Sequence, residues 1–211
     1  MTGSNYYEFE ARLAEFDLDA NRANWQKQMA FIELLQKWNK AYNLTAIRDP
    51  QQMIILHILD SLAVYPHLQG DNILDVGAGA GIPGIPLALC YPDKKFTLLD
   101  GNGKKTRFIQ QAKIELGLSN VEVIHGRVEA CSVENKFDCI ISRAFATIAT
   151  FITLSKGLLI NGGQFLAMKG CDPDKEIAEI DDDFFCQEVV SLAVPGLDAE
   201  RNLVRILARK K

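Results

Sequence analysis

Ile73-Leu-Asp75-Val-Gly77-Ala-Gly79-Ala-Gly81-Ile-Pro83-Gly84 carries the strongest signal in the chain. It reads as a short apolar strand, three glycines at alternate positions, and the opening of a helix. Glycine lets a backbone turn tightly and approach a ligand where a Cβ would stand in the way. A dinucleotide-binding turn would be G-x-G-x-x-G, but the sixth place here is Ile82, and the chain has no G-x-x-x-x-G-K-[ST] phosphate loop. Asp75 would repel a pyrophosphate and suits a ligand with a cationic amino-acid end. Asp100 closes the next apolar run, 19 residues after Gly81. A doubly wound sheet sets such a carboxylate beside the loop, where it can accept the hydroxyls of a ribose. Asp75, Gly77, Gly79, Gly81 and Asp100 together favour S-adenosylmethionine over NAD or ATP. The plainer alternative is that Asp75 and Asp100 only cap the turns that follow them.

Around this loop the chain alternates strand and helix. Ile73–Val76, Phe96–Leu99, Val121–Ile124, Phe137–Ile141 and Gln164–Met168 are apolar runs separated by helical stretches, of which 104–116 and 148–159 are the clearest. Such strands, apolar throughout, imply a parallel sheet covered on both faces. Two further strands, about 184–194 and 203–209, are joined by Pro195–Asn202, too short for a crossover helix, so this last pair is expected to be antiparallel. Upstream, from Asn21 onward, Trp25, Met29, Ile32, Leu35, Trp38 and Tyr42 form one stripe of a long amphipathic helix. Asp49-Pro50 opens another, with an N-cap, a proline at the first position and Gln52 three after the cap. Its body, Met53–Tyr65, is apolar on more than one face and is expected to be sandwiched. The expected architecture is a Rossmann-like α/β domain, 71–211, with a mostly parallel seven-stranded sheet and an antiparallel last strand. An N-terminal helical segment, 1–70, packs on it.

With 211 residues, 48% apolar and 24% charged, the composition is globular rather than disordered or disulfide-rich. Cys90, Cys131, Cys139, Cys171 and Cys186 stand singly with no C-x-x-C pair, so no metal site is expected and a reduced compartment is. No apolar run reaches the roughly 20 residues of a membrane span. The opening MTGSNYYEFEARLAEF holds acids where a secretion signal would be basic. A cytoplasmic monomer without membrane contact is the expectation. The net charge is −4, whereas a protein gripping nucleic acid with its whole surface would be basic. An RNA partner therefore requires a local positive face. Residues 172–200 hold ten acids against Lys175, and 201–211 hold Arg201, Arg205, Arg209, Lys210 and Lys211 with no acid. That basic end reads equally well as a solvated last strand with a frayed tail.

Methyl transfer from a sulfonium asks the protein to hold the acceptor in line and exclude water. The fourth strand ends in Ile141-Ser-Arg143-Ala-Phe145 rather than [DN]-P-P-[FY], which disfavours exocyclic amines of bases as acceptors. A C5-pyrimidine mechanism needs an exposed thiolate, and Cys139 lies inside its strand. A ring nitrogen such as guanine N7 has an in-plane lone pair and needs no general base. His57, within an apolar helix, reads as a hydrogen-bonded packing residue; His125 is the other candidate base, and His67 carries no signal. Arg127, Arg143, Lys169 and Arg201 come from four segments, three of them just beyond strand ends. Such loops open on the side of the glycine loop, where four converging cations would bind phosphates and reach guanine O6. Alternatively each makes a surface pair with an acid. Lys104, Lys105 and Arg107 read equally well as a solvated helix face.

Trp38-Asn-Lys-Ala-Tyr-Asn-Leu-Thr45, His57-Ile-Leu-Asp60-Ser61-Leu62, the Asp75–Gly84 loop, Leu98-Leu-Asp100, Gly126-Arg-Val-Glu129, Ile141–Ala146, Lys169-Gly170 and Pro195–Arg201 occur in order across about 30–209. In these motifs the chain resembles the bacterial 16S rRNA guanine-N7 methyltransferase family, also called glucose-inhibited division protein B. The resemblance implies a class I S-adenosylmethionine-dependent methyltransferase fold. Its substrate would be N7 of one guanine in the decoding-region loop of 16S rRNA, within a small-subunit ribosomal particle. By motif position, Gly77, Ile82, Val128, Glu129 and Arg143 would line the cofactor pocket, with Glu129 approaching the adenine. Arg127, Arg143, Lys169 and Arg201 match the family's basic residues around the acceptor, Arg143 and Lys169 serving to position it. Gly101 departs from the serine many relatives carry. The alternatives are a small-molecule methyltransferase and a non-catalytic ribosome-binding protein. Gly77→Val is expected to abolish cofactor binding while leaving the chain folded.

Overall fold

The computed structural model describes residues 11–13, 24–170 and 172–209. Asn21, Cys171 and the terminal Lys210-Lys211 of the basic end lie outside the described residues. Helix α1, Trp25–Tyr42, buries Met29, Ile32 and Leu35 together with Phe31 and Leu34. It stops at Asn43, which takes the left-handed backbone (φ 50°) that asparagine tolerates at a helix end. Asp49 caps α2, Pro50–Met53, by accepting from the Gln52 N–H at 2.8 Å. The α-helix expected through Met53–Tyr65 departs from that geometry: Ile54–Leu59 is a π-helical turn, followed by a helical turn at Asp60–Leu62. A wider turn of this kind inserts one residue, and such insertions concentrate where side chains must be re-aimed.

Strand β1, Asn72–Val76, leads through the glycine loop to α3, Gly84–Cys90. Then come β2 (Lys95–Asp100), α4 (Gly103–Leu116), β3 (Val121–His125), β4 (Phe137–Arg143), α5 (Ile148–Ser155) and β5 (Leu159–Lys169). Asn102 caps α4 and Thr147 caps α5. β5 begins five residues earlier than its apolar run indicates, because Leu159 already pairs with Phe137 across an irregular register; α5 is correspondingly shorter than 148–159. After the short α6, Asp174–Ile177, the chain finishes in β6, Phe184–Ser191, and β7, Asn202–Ala208.

The seven strands lie in the order β3-β2-β1-β4-β5-β7-β6. All neighbours are parallel except β7, which runs antiparallel to both β5 and β6. Alternation along β1 sends Ile73 to one face and Leu74 and Val76 to the other. The Ile73 face is covered by α1, α2, α3 and α4 in one continuous core that includes Phe31, Leu35, Ile58, Leu59 and Phe108. The opposite face carries α5, with Phe151 set edge-on against Phe165 at 5.4 Å. The helical segment thus shares its core with the sheet and brings the helical turns 54–62 to the rim where the parallel strands end.

Arg205 departs from the expectation of a solvated last strand. It is 6% exposed, its Nε donates to Glu188 at 2.6 Å, and its Nη1 donates to Gln164.

Candidate active site

Strand order reverses at β1, whose neighbours are β2 and β4. In open α/β sheets the crevice beyond the carboxyl ends at such a reversal is where ligands sit. The loop leaving β1 is anchored there by the N–H groups of Gly77 and Ala78, both donating to Leu99 O at 2.8 and 3.0 Å. Gly79 has φ 61°, and a Cβ added to it would clash with nothing, meeting only Gly77 O at 3.8 Å and Lys105 Nζ at 3.9 Å in ordinary van der Waals contact. The loop therefore presents bare backbone to a cleft.

Both acids flanking the loop are buried. Asp75 accepts from the Gly84 N–H at 2.9 Å through Oδ2, holding the start of α3, so the capping alternative describes this oxygen. Its Oδ1 is buried with no partner among the described residues. Burial pushes the Asp75 carboxyl up to about 7, against the opposing pull of the Gly84 N–H. Asp100 accepts from the Gly79 N–H at 2.9 Å and from the Asn102 N–H at 2.7 Å, leaving each oxygen one further lone pair.

The cleft measures about 480 Å³. One wall is Gly77–Ala80 and Ile82; the second is Leu44, Thr45, His57 and Asp60; the third is Arg143, Ala144, Met168, Lys169, Gly170 and Arg201. Of the residues singled out by sequence, Gly77, Gly79, Ile82, Arg143, Lys169 and Arg201 thus meet around one space. Gly81 and Asp75 lie beneath the loop: a Cβ on Gly81 would strike Ile85 Cδ1 at 2.5 Å. Val128 is buried and Glu129 exposed, on the β3 side and outside this lining. The four cations do not all converge. Arg127 follows the edge strand β3 and lies along Gly101, apart from the other three. Lys105, at the start of α4, takes a place on the cleft that its helical context did not reveal.

The cations are held by acids and carbonyls. Asp60 is 2% exposed and pairs with two arginines, Arg143 Nη1 donating to Oδ2 at 2.9 Å and Arg201 Nε to Oδ1 at 2.7 Å. Arg143 Nη1 also donates to Leu56 O at 2.7 Å, within the π-helical turn. Lys169 Nζ donates to Glu176 Oε2 at 2.7 Å and to Ala146 O at 2.9 Å. Burial, then the nearby Arg143, lowers the His57 pKa to about 4, so its ring is neutral at pH 7. Nδ1 lies 3.1 Å from Leu56 O, an acceptor, so Nδ1 carries the proton; Nε2 then accepts from the Thr45 hydroxyl at 3.1 Å. Asp60 and Thr45 stand in the motifs of the resemblance, and Lys105 among the charges of its helix, but sequence assigned none of them a role in the site. For Asp60 a signal existed: a carboxylate inside the apolar run 53–65 must be paired to be buried.

This fold is shared with methyltransferases of known structure. The glycopeptide N-methyltransferase MtfA, complexed with S-adenosyl-L-homocysteine, superposes with a TM-score of 0.63 at 11% identity, covering 72% of this chain and 87% of that one. Ribosomal protein L11 methylase from Lactobacillus delbrueckii subsp. bulgaricus does so with a TM-score of 0.53 at 17% identity, covering 72% and 77%. The sequence narrows the class. The family described as rRNA small subunit methyltransferase G matches residues 24–204, and the chain belongs to that family. Proteins named ribosomal RNA small subunit methyltransferase G are 51% identical over 199 residues in Laribacter hongkongensis (94% of this chain, 96% of the relative) and 50% identical over 201 residues in Neisseria meningitidis serogroup A (95% and 96%).

Proposed function

We propose that the chain is an S-adenosylmethionine-dependent methyltransferase of small-subunit ribosomal RNA, acting on N7 of a guanine in the decoding-region loop of 16S rRNA. The observation that carries this reading is the single cleft that joins the bare glycine loop to Arg143, Lys169 and Arg201. The residues present fit the cofactor. Gly79 leaves room for it, Asp100 retains acceptor capacity for ribose hydroxyls, and the unpartnered Asp75 Oδ1 suits an ammonium. Glu129 and Val128, after β3, would flank the adenine side.

S-adenosylmethionine held there would supply an electrophilic methyl carbon on a sulfonium, whose sulfur would keep the bonding electrons once the methyl passed to the N7 lone pair. The protein's part is to bind, align and exclude water. Arg143 and Arg201 would hold phosphate or guanine O6, Lys169 would fix the loop after β4, and Arg127 would contact RNA farther out. No side chain need remove a proton, because N7 carries none. The neutral His57 supports the cleft wall through Thr45 and Leu56. Residues 1–70 would form the helical platform and 71–211 the catalytic domain of a cytoplasmic monomer that needs no metal. Among the described residues no helix is long and apolar enough to cross a membrane.

Transfer of labelled methyl from the cofactor to small-subunit particles tests the proposal, with the modified base identified by digestion. Label on guanine N7 is the expected result. Label on a metabolite would instead indicate a small-molecule enzyme, and no label a non-catalytic ribosome-binding protein.

A further inference from the structure

Two guanidinium groups from distant parts of the chain meet on one carboxylate. Arg143 ends β4 and Arg201 precedes β7, yet both pair with Asp60, which the π-helical turn Ile54–Leu59 delivers to the rim of the sheet. Asp60 is 2% exposed, whereas the side chains of Arg143 and Arg201 keep 25% and 23% of their surface. Among the described residues, Arg143 Nε and Nη2 and Arg201 Nη2 make no hydrogen bond, and both arginines line the cleft. A buried ion pair is a poor stabiliser compared with an apolar replacement, because desolvation offsets most of the Coulombic gain. What the arrangement does secure is direction: each oxygen of Asp60 fixes one guanidinium and turns its remaining donors outward.

We propose that Asp60 is a positioning residue for methyl transfer, holding Arg143 and Arg201 as a fixed pair of donors at the acceptor side of the cleft. The inference rests on the methyltransferase reading above. Left alone, each arginine would sample many rotamers, and the donors would have to be ordered when the nucleotide arrives. With Asp60 in place that ordering is done during folding. The triad of two cations and one anion also keeps a net charge of +1 at the rim, enough to favour a phosphodiester. The π-helical turn supports the same end, since Leu56 O fixes Arg143 from a second direction.

The test is a double-mutant cycle on the full chain with small-subunit particles as substrate. Rates are expressed per cofactor-binding site counted by calorimetry, so that misfolded protein is excluded. Asp60→Asn is expected to lower kcat about 10- to 100-fold, the scale of a misplaced acceptor, with cofactor affinity within about threefold. In an Arg143→Lys, Arg201→Lys background, where both shaped donors are already lost and the pair is treated as one partner in the cycle, the same change is expected to cost less than about threefold. Additive effects, or a normal rate per binding site, would overturn the proposal. If Asp60→Asn does not fold, Asp60→Glu is put through the same cycle. It keeps the charge but displaces the pair, and the same non-additivity is expected. Wild-type transfer to the particles is the reference. Its absence overturns the functional reading and this inference together, whereas normal wild-type transfer with an additive cycle removes the role of Asp60 alone.

Discussion

A Cβ placed on Gly77 would stand 2.6 Å from Cδ2 of Phe145, the residue two beyond Arg143. Gly77 also has φ 71°, where any L side chain is strained. The bare backbone is thus required by the fold before any ligand arrives. To the expectation that Gly77→Val leaves the chain folded, this contact adds a loss of stability. Gly77→Val should cost about 2–4 kcal/mol of stability as well as cofactor affinity. In a Phe145→Ala background about 1 kcal/mol should remain from the backbone strain alone. Thermal unfolding of the three variants measures this, and a Gly77→Val melt matching wild type would rule out the Phe145 contact.

We predict that cofactor binding depends on pH through Asp75. Its carboxyl is raised from 3.8 to about 7. A cationic amine near Oδ1 favours the ionised form, so binding releases a proton below pH 7. Affinity should rise with pH, by up to about tenfold per unit, and level off above 7. Asp75→Asn should flatten this profile in calorimetric titrations between pH 5.5 and 8.

Folding stability titrates with opposite signs at His57 and Asp75. The His57 pKa is lowered from 6.5 to about 4, so its contribution is complete above 6.5 and lost as pH falls towards 4. The Asp75 pKa is raised, so its contribution is complete below 3.8 and lost as pH rises through about 7. His57→Gln should reduce the loss of stability on acidification from pH 6.5 to 4.5. Denaturant unfolding at those two values decides it.

Lys169 acts on the loop after β4. Its ammonium joins Ala146 O to Glu176 Oε2, and the same oxygen accepts from the Ile148 N–H at 2.8 Å. Burial raises the Glu176 pKa, but the Lys169 and Ile148 hydrogen bonds outweigh it and hold the carboxyl below its ordinary range. Glu176→Gln should slow methyl transfer about five- to tenfold with unchanged cofactor affinity. Stability should fall by less than about 1 kcal/mol, because the pair is partly exposed. Single-turnover rates and binding isotherms separate these effects.

On β7, between β5 and β6, Arg205→Met should remove about 2–4 kcal/mol, since Gln164 and Glu188 lose their shared partner. Methyl transfer per folded molecule should stay at wild-type level.

Most of the fold is legible from short-range chemistry. Ile73–Val76 and Phe137–Ile141 are apolar throughout because both faces of a central parallel strand are covered, and Asp49-Pro50 announces its own helix. The glycine loop is legible for the same reason: left-handed backbone angles demand glycine. What escapes is long-range. Asp60 meets Arg201 across 141 positions, and the π-helical turn that aims it leaves no mark in an apolar run. Arg205 looks like part of a solvated tail until β6 supplies Glu188. Arg127 shares its residue type with Arg143 and Arg201, but an edge strand carries it away from them.

β7 lies between β5 and β6, though it is made after both. Without its seven residues, Asn202–Ala208, β5 has one unsatisfied edge and β6 has no strand to pair with. Arg201 immediately precedes that strand. A polypeptide stopped short of Arg201 would lack both the strand and the guanidinium, so joining β5 to β6 and placing that guanidinium against Asp60 depend on the same segment.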